Sequence, residues 1–366
     1  MASSGARFNR IERSSQSTER NLVELHTIDP LSDRRWDDLV ARHAKASAFH
    51  QRGWLEALAC TYGYEPRVLT SAAAGKPLRD GIVLCLVSSW ITGTRFVSLP
   101  FADHCEPLLN DPDDFPIFTN WLRAACDRQR WKYIELRPLT LRPASCDLQP
   151  SRSYCLHKLD LDQSIERIFR TLHKNSIQRK IRRAEREQLS CEVGGSHLLD
   201  EFYRLQLITR RRLRVLPQPR SWFDNLVKSM GDKVQIRLAR KNGTSIAALL
   251  TLRHGSSVIY KYGCSDEKYH KLGAMPFLFW SLIEDCKASG VKQVDFGRTD
   301  LDHEGLITFK NRLGTTRSTL TYYRYPKPES AELASTWDSP FVRQICSILP
   351  DTVSRAASRV LYKHIA

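Results

Sequence analysis

No stretch of the chain approaches the ~18 consecutive apolar residues of a membrane span, and Met1–Arg20 lacks the apolar centre of a secretory signal. A cytoplasmic protein is expected, with the Ser- and Arg-rich residues 1–20 disordered. The ten cysteines form no C-x-x-C pair and do not group with histidines at metal-ligand spacing. That argues against the common zinc motifs and favours buried apolar thiols over disulfides, so no structural metal is expected. Negative charge is the scarce sign: 40 Asp and Glu stand against 56 Lys and Arg, a formal net charge of +16. The surface therefore prefers anions.

What is present fits a folded enzyme-sized chain. Its 366 residues suggest two cores, and 42% hydrophobic content with 8 Trp, 12 Tyr and 14 Phe argues against general disorder. The positive charge is local. Between Arg167 and Arg220 there are 14 Lys and Arg but 5 Asp and Glu, so nine of the sixteen net charges lie in one span. Such a run is ordinarily a solvated helix face; its bias to one sign fits a phosphate platform equally well, for a tRNA backbone or for the diphosphate of a nucleotide or lipid-linked sugar.

In chain order, Asn21–Thr27 reads as a strand and Ser32 as the cap of a helix carrying Trp36, Leu39 and Val40. A second helix presents Trp54, Leu55 and Leu58. Strands follow at Arg67–Ser71, Gly81–Ser88 and Thr94–Leu99, then a helix at Asp114–Arg130 and a strand at Tyr133–Arg137. Asp103 and His104, in the turn Ser98–Cys105, are a candidate acid/base pair, although an aspartate there more often caps a turn and a histidine more often sits on the surface. Leu139–Ser153, with two prolines and no periodicity, reads as a linker.

The second half repeats this order. A strand near Cys155–Leu159 leads to a helix from Ser164 and to the basic helix Ser176–Glu187, apolar only at Ile177, Ile181 and Ala184. A helix at Leu198–Arg214 precedes a meander of strands, Val234–Ala239, Ser245–Leu252 and Val258–Gly263, with Asn242-Gly243 as a hairpin turn. A polar loop, a helix opening at Pro276 and a strand at Lys292–Phe296 complete a unit whose strand ends and helix N-terminus leave room for a negatively charged ligand. The strand Leu320–Tyr325 closes the fold. Residues 327–366 read as an amphipathic tail, packed on the surface or in shallow contact with an anionic membrane face.

Three segments, Lys261–Asp266 (KYGCSD), Asp295–Asp300 (DFGRTD) and Gly305–Gly314 (GLITFKNRLG), resemble in order and spacing the second domain of the FemABX-like transferases of the GNAT superfamily. The turn at Ser98, the segment after Asn175 and Thr209–Pro219 extend the likeness. It implies an α/β (α+β) fold of two tandem GNAT-like domains, residues 21–150 and 151–326, each a mixed, largely antiparallel sheet flanked by helices, with a cleft between them. It also implies an acyltransferase that moves an acyl or aminoacyl group from aminoacyl-tRNA or acyl-CoA to an amine of a cell-envelope or exopolysaccharide precursor, with no tightly bound cofactor. Partners would be an anionic or lipid-linked precursor and tRNA. A strictly coenzyme A-dependent N-acetyltransferase and a non-catalytic RNA-binding module are the alternatives.

Acyl transfer to an amine forms a tetrahedral oxyanion and releases a proton, so cationic donors and a base are needed. The resemblance places Lys310 at the reacting centre, beside Phe309. Asp103, Asp300 and His303 are candidate bases, with Asp302 and Asp295 beside them, and Asp295 equally suits a structural partner of an arginine. Arg298, Arg210, Arg212 and Arg214 are candidate anion contacts. Lys261 and Tyr262 alternate on a strand, which points Tyr262 into the cleft and the lysine outward. Where the superfamily holds pyrophosphate on a Gly-rich loop, this chain has Gly273 and Lys271, but Met275 and Pro276 follow. Val215 stands where the family has glycine, so the loop there must turn differently.

Overall fold

The computed structural model describes residues 24–141, 148–326 and 361–364. The expectations for residues 1–20, for most of the tail and for the centre of the linker fall outside these residues.

The first half runs β1 (His26–Ile28), α1 (Arg35–Arg42), α2 (Arg52–Tyr62), β2 (Glu65–Thr70), β3 (Ile82–Val87), β4 (Arg95–Val97), α3 (Phe115–Gln129) and β5 (Tyr133–Leu136). After β6 (Gln149–Asp160), α4 (Ile165–Thr171) and α5 (Arg179–Arg186), the second half runs β7 (Ser190–Gly194), α6 (Leu199–Leu213), α7 (Arg220–Met230), β8 (Val234–Lys241), β9 (Thr244–His254), β10 (Ser257–Ser265), α8 (Ala274–Ala288) and β11 (Gln293–Asp300). It ends with α9 (Glu304–Asn311) and β12 (Thr316–Tyr325).

The repeat is topological. In each half a helix pair separates the first two strands, the first four strands pair antiparallel, and one helix crosses over to a parallel fifth strand: β4 to β5 through α3, and β10 to β11 through α8. This is the tandem, mixed, largely antiparallel arrangement expected. The periodicity held for α1 and α2, which bury Trp36, Leu39, Val40, Trp54, Leu55 and Leu58. It was overlooked for α7, whose Trp222, Phe223, Leu226, Val227 and Met230 are buried at helical spacing.

The expected cleft between separate lobes is replaced by continuity. The twelve strands among the described residues form one sheet, in the order β1-β2-β3-β4-β5-β12-β6-β11-β10-β9-β8-β7. β12 pairs antiparallel with β5 on one side and β6 on the other, so the last strand joins the halves instead of merely closing the second. Gln149–Ser153, read as linker, are residues of β6. Glu135 of β5 accepts from Arg137 and from Arg324 of β12, at 2.9 and 2.6 Å. The largest core also crosses the boundary: α1 and α2 share it with α6 and α7, and the fully buried Trp54 and Trp222 meet edge to face at 5.2 Å. Two indoles at roughly 200 Å² each and ~25 cal/mol/Å² contribute on the order of 10 kcal/mol of gross burial, an upper bound, so separating the halves is costly.

Parallel pairing of β10 with β11 extends only from Ser257–Ile259 to Gln293–Asp295. Beyond it both strands bulge and part. In β10 the register slips between Tyr260 and Tyr262, with Lys261 the extra residue; in β11 it slips between Asp295 and Arg298. β11 thus continues to Asp300, past the expected end at Phe296, and α8 begins at Ala274, two residues before Pro276.

Candidate active site

The parting strands open a cavity of about 270 Å³ at the start of α8. Its lining includes Tyr260, His270, Pro276, Phe279, Phe309 and Lys310. Phe309 and Lys310 come from α9, which folds back beneath the end of β11.

Lys310 is 3% exposed. Its ammonium donates to the carbonyls of Gly297 at 3.0 Å and Arg298 at 3.2 Å, which leaves a third N–H. Burial draws its pKa down to about 8, against the opposing pull of Asp103 and Asp295. An ammonium so placed is a strong donor in a partly dry site, and it loses its proton within a working pH range.

The bulge carrying those carbonyls depends on Gly297. Its φ is +69°, and a Cβ there would lie 2.7 Å from Asp103 Oδ2. Its N–H donates to Asp295 Oδ1 at 2.7 Å, while Asp295 Oδ2 accepts from His104 Nε2 at 2.9 Å. Burial pushes the Asp295 carboxyl up, but the bond from His104, the nearby charges and the Gly297 N–H outweigh it and hold the group below its usual range. Asp295 is thus partnered by a histidine and a backbone amide, not by an arginine.

His104 and Asp103 come from the turn after β4, where Leu99 and Phe101 have φ of 24° and 62°. The turn reaches across to the second half, so the surface placement of His104 is incorrect: it is 2% exposed. Asp103 does not cap its turn. It accepts from Lys261 Nζ at 2.9 Å and lies 3.9 Å from Arg298 Nε. Strict alternation also misled the choice between Lys261 and Tyr262. As the bulge residue, Lys261 turns inward, its side chain 8% exposed, and burial lowers its pKa while Asp103 raises it. Tyr262 packs in the shared core, where its hydroxyl accepts from Trp222 Nε1 at 2.9 Å.

The remaining candidates divide. Arg298 is half-buried between Tyr154 and Tyr322, with its guanidinium carbon 4.3 and 5.3 Å from the ring centres, and it donates to the Tyr322 hydroxyl at 2.7 Å. Asp300, the last residue of β11, and His303, 3.8 Å away, are exposed, as is Asp302 on the turn before α9; none lines the cavity. Arg212 contacts His270 of the cavity wall at 2.8 Å. Arg210 is half-buried, and Arg214 is exposed at the end of α6. Arg214 itself takes the positive φ, 56°, so the chain turns one residue before Val215. Gly273, φ +81°, caps the start of α8 so closely that a Cβ would meet the Lys180 carbonyl of α5 at 2.5 Å. Four basic side chains of α5 that were not among the candidate site residues, Arg179, Lys180, Arg183 and Arg186, lie with Lys271 along a groove of about 520 Å³. Lys180 also lines the cavity, so groove and cavity adjoin. The charge bias around α5 was the signal for it.

Residues 172–305 match the family model of the acetyltransferase (GNAT) domain. The fold is similar to that of FemX, with a TM-score of 0.64 at 14% identity over 82% of this chain and 97% of that one. Residues 172–305 thus carry a GNAT-type domain, and the chain as a whole has a fold similar to that of FemX. The chain is also similar to the C-terminal domain of a putative lysylphosphatidylglycerol synthetase from Agrobacterium fabrum, TM-score 0.56, 14% identity, 82% of this chain and 92% of that one. A tandem GNAT protein from the clavulanic acid biosynthesis pathway aligns at a TM-score of 0.50 and 12% identity, over 84% of this chain and 100% of its own. No curated protein matches the chain significantly. Among the described residues no helix is long and apolar enough to cross a membrane, no group of three His, Cys, Asp or Glu could hold a metal ion, and eight cysteines are free thiols.

Proposed function

We propose that the cavity binds the acyl or aminoacyl end of an RNA-linked donor and that Lys310 stabilises the oxyanion formed when an amine of a cell-envelope or exopolysaccharide precursor attacks. The observation that carries this reading is the buried Lys310, a residue of the cavity lining whose ammonium is fixed by two backbone carbonyls and keeps one N–H uncommitted. A preorganised cation in such a site costs no reorganisation when charge develops, which is what acyl transfer requires. As the new C–N bond forms, the carbonyl oxygen takes up negative charge; collapse of the intermediate expels the donor's ribose oxygen, and the amine's proton leaves to a base or to solvent.

The donor class is supported by the start of α8. Pro276 has no N–H, and the glycine pattern that lets backbone amides hold a pyrophosphate is reduced to Gly273. The groove along α5 offers cations instead. Arg179, Lys180, Arg186 and Lys271 are exposed and make no ion pair within the described residues. The eight residues of helix from Arg179 to Arg186 rise about 10 Å from first to last, enough for two or three backbone phosphates of a strand. The αL glycine and the acetyltransferase family model favour acyl-CoA as the second reading.

Thermal protection separates the two, because a ligand of the native state raises stability in proportion to its saturation. Aminoacyl-tRNA is expected to raise the melting temperature and acetyl-CoA to leave it unchanged; the opposite result overturns the donor assignment. In Lys310→Ala the same tRNA is expected to bind within a few-fold of wild type while turnover falls by about 10²–10³.

A further inference from the structure

The structure assigns a positioning role to Asp295 and His104: together they clamp the Gly297 bulge so that its two carbonyls hold the Lys310 ammonium at the cavity floor. The first half of the chain thereby orients the reactive lysine of the second.

Both oxygens of Asp295 are committed. One takes the Gly297 N–H at 2.7 Å and the other takes His104 Nε2 at 2.9 Å, with Lys158 Nζ at 4.0 Å. Turning the Gly297 amide back to a side chain two residues upstream removes it from the ladder with β6, where pairing jumps from Asp295↔Lys158 to Arg298↔Leu156. The displaced backbone aims the Gly297 and Arg298 carbonyls at Lys310. Without the carboxylate the bulge leaves a buried N–H unpaired, so it relaxes toward regular pairing and withdraws both acceptors. His104 holds the carboxylate from above. It is 2% exposed, its ring meets Phe49 edge-on at 5.4 Å, and its Nδ1 has no hydrogen-bond partner among the described residues. The Nε2–H has one acceptor, and the ring is packed for that contact. The charged and titratable groups facing Lys310 are Asp103 from the β4 turn, Asp295 on β11, Lys261 on β10, and Cys155 and His157 on β6.

The inference rests on Lys310 acting at the reacting centre, but its test does not require turnover. The full chain is labelled with acetic anhydride across a pH series, and acylation of Lys310 is compared with that of exposed Lys233 by peptide mass spectrometry. In Asp295→Asn the amide oxygen keeps the Gly297 bond and the charge is lost, so the Lys310 midpoint is expected to fall by up to about one pH unit, a tenfold change in its acid constant. In Asp295→Ala the clamp is lost and Lys310 labels several-fold faster than in Asp295→Asn. His104→Gln, which restores a donor, is expected to return labelling toward wild type relative to His104→Ala. If Asp295→Ala does not fold, the asparagine and glutamine variants carry the test. Wild-type labelling in the folded variants overturns the clamp and leaves the role of Lys310 standing. Altered labelling, in an enzyme whose transfer is indifferent to Lys310→Ala, upholds the clamp and overturns that role.

Discussion

Asp103 and Lys261, 158 positions apart in the chain, meet at 2.9 Å and tie the turn after β4 to the bulge of β10. The contact is mostly shielded from water, and Asp103 is also the first of the groups that raise the pKa of Lys310. One carboxylate from the first half thus serves cations of the second. A halved protein would lose the counter-charge as well as the shared core.

The pKa of Lys310, about 8 in the fold against an ordinary 10.5, sets two pH dependences of opposite sign. In the proposed role the ammonium acts as donor, so kcat/KM is expected to fall as pH rises through about 8, and that limb should vanish in Lys310→Arg. Stability moves the other way. Between pH 8 and 10.5 the unfolded chain holds a proton that the folded chain has released, so the destabilisation due to the buried charge fades as pH rises. Relative to Lys310→Met, wild type is expected to gain about 2 kcal/mol between pH 8 and 10 in denaturant titrations.

Gly297→Ala places a methyl group 2.7 Å from Asp103 Oδ2 on a backbone with φ +69°. The conformation alone costs about 1–2 kcal/mol for a residue with a Cβ, and the clash adds to it. Urea unfolding should show a loss of at least that size, with turnover reduced by more than stability accounts for, because the carbonyls holding Lys310 move.

Glu135 is 3% exposed and binds Arg137 and Arg324, at the joint where β12 meets β5. Burial raises its pKa, but the two arginines outweigh that and bring it to about 2. Its contribution is present above its ordinary range near 4.5 and is lost as pH falls through about 2. Glu135→Gln leaves two guanidinium groups short of charge and is expected to cost on the order of 3 kcal/mol at pH 7, measured by chemical denaturation.

The α5 groove makes a prediction about salt. In Arg179→Ala/Arg186→Ala the logarithmic salt slope of single-stranded RNA binding should shrink by about 1.4, two contacts at ~0.7 each. An unchanged slope places the phosphates elsewhere, and filter binding between 50 and 200 mM salt decides it.

Periodicity, turn residues and charge bias were enough to determine most of the strands and helices, though not β7, α7 or α9, together with the basic face of α5 and the space at the start of α8, because these are properties of contiguous residues. The motif around Lys310 could be read for the same reason. Only the tertiary structure decided that β12 fuses the halves into one sheet, that Lys261 rather than Tyr262 turns toward Asp103, and that His104 is buried on Asp295. Each follows from a register slip or a contact more than a hundred residues apart. Strict alternation along a strand fails at a bulge, and no local pattern shows which distant edge a strand will pair with.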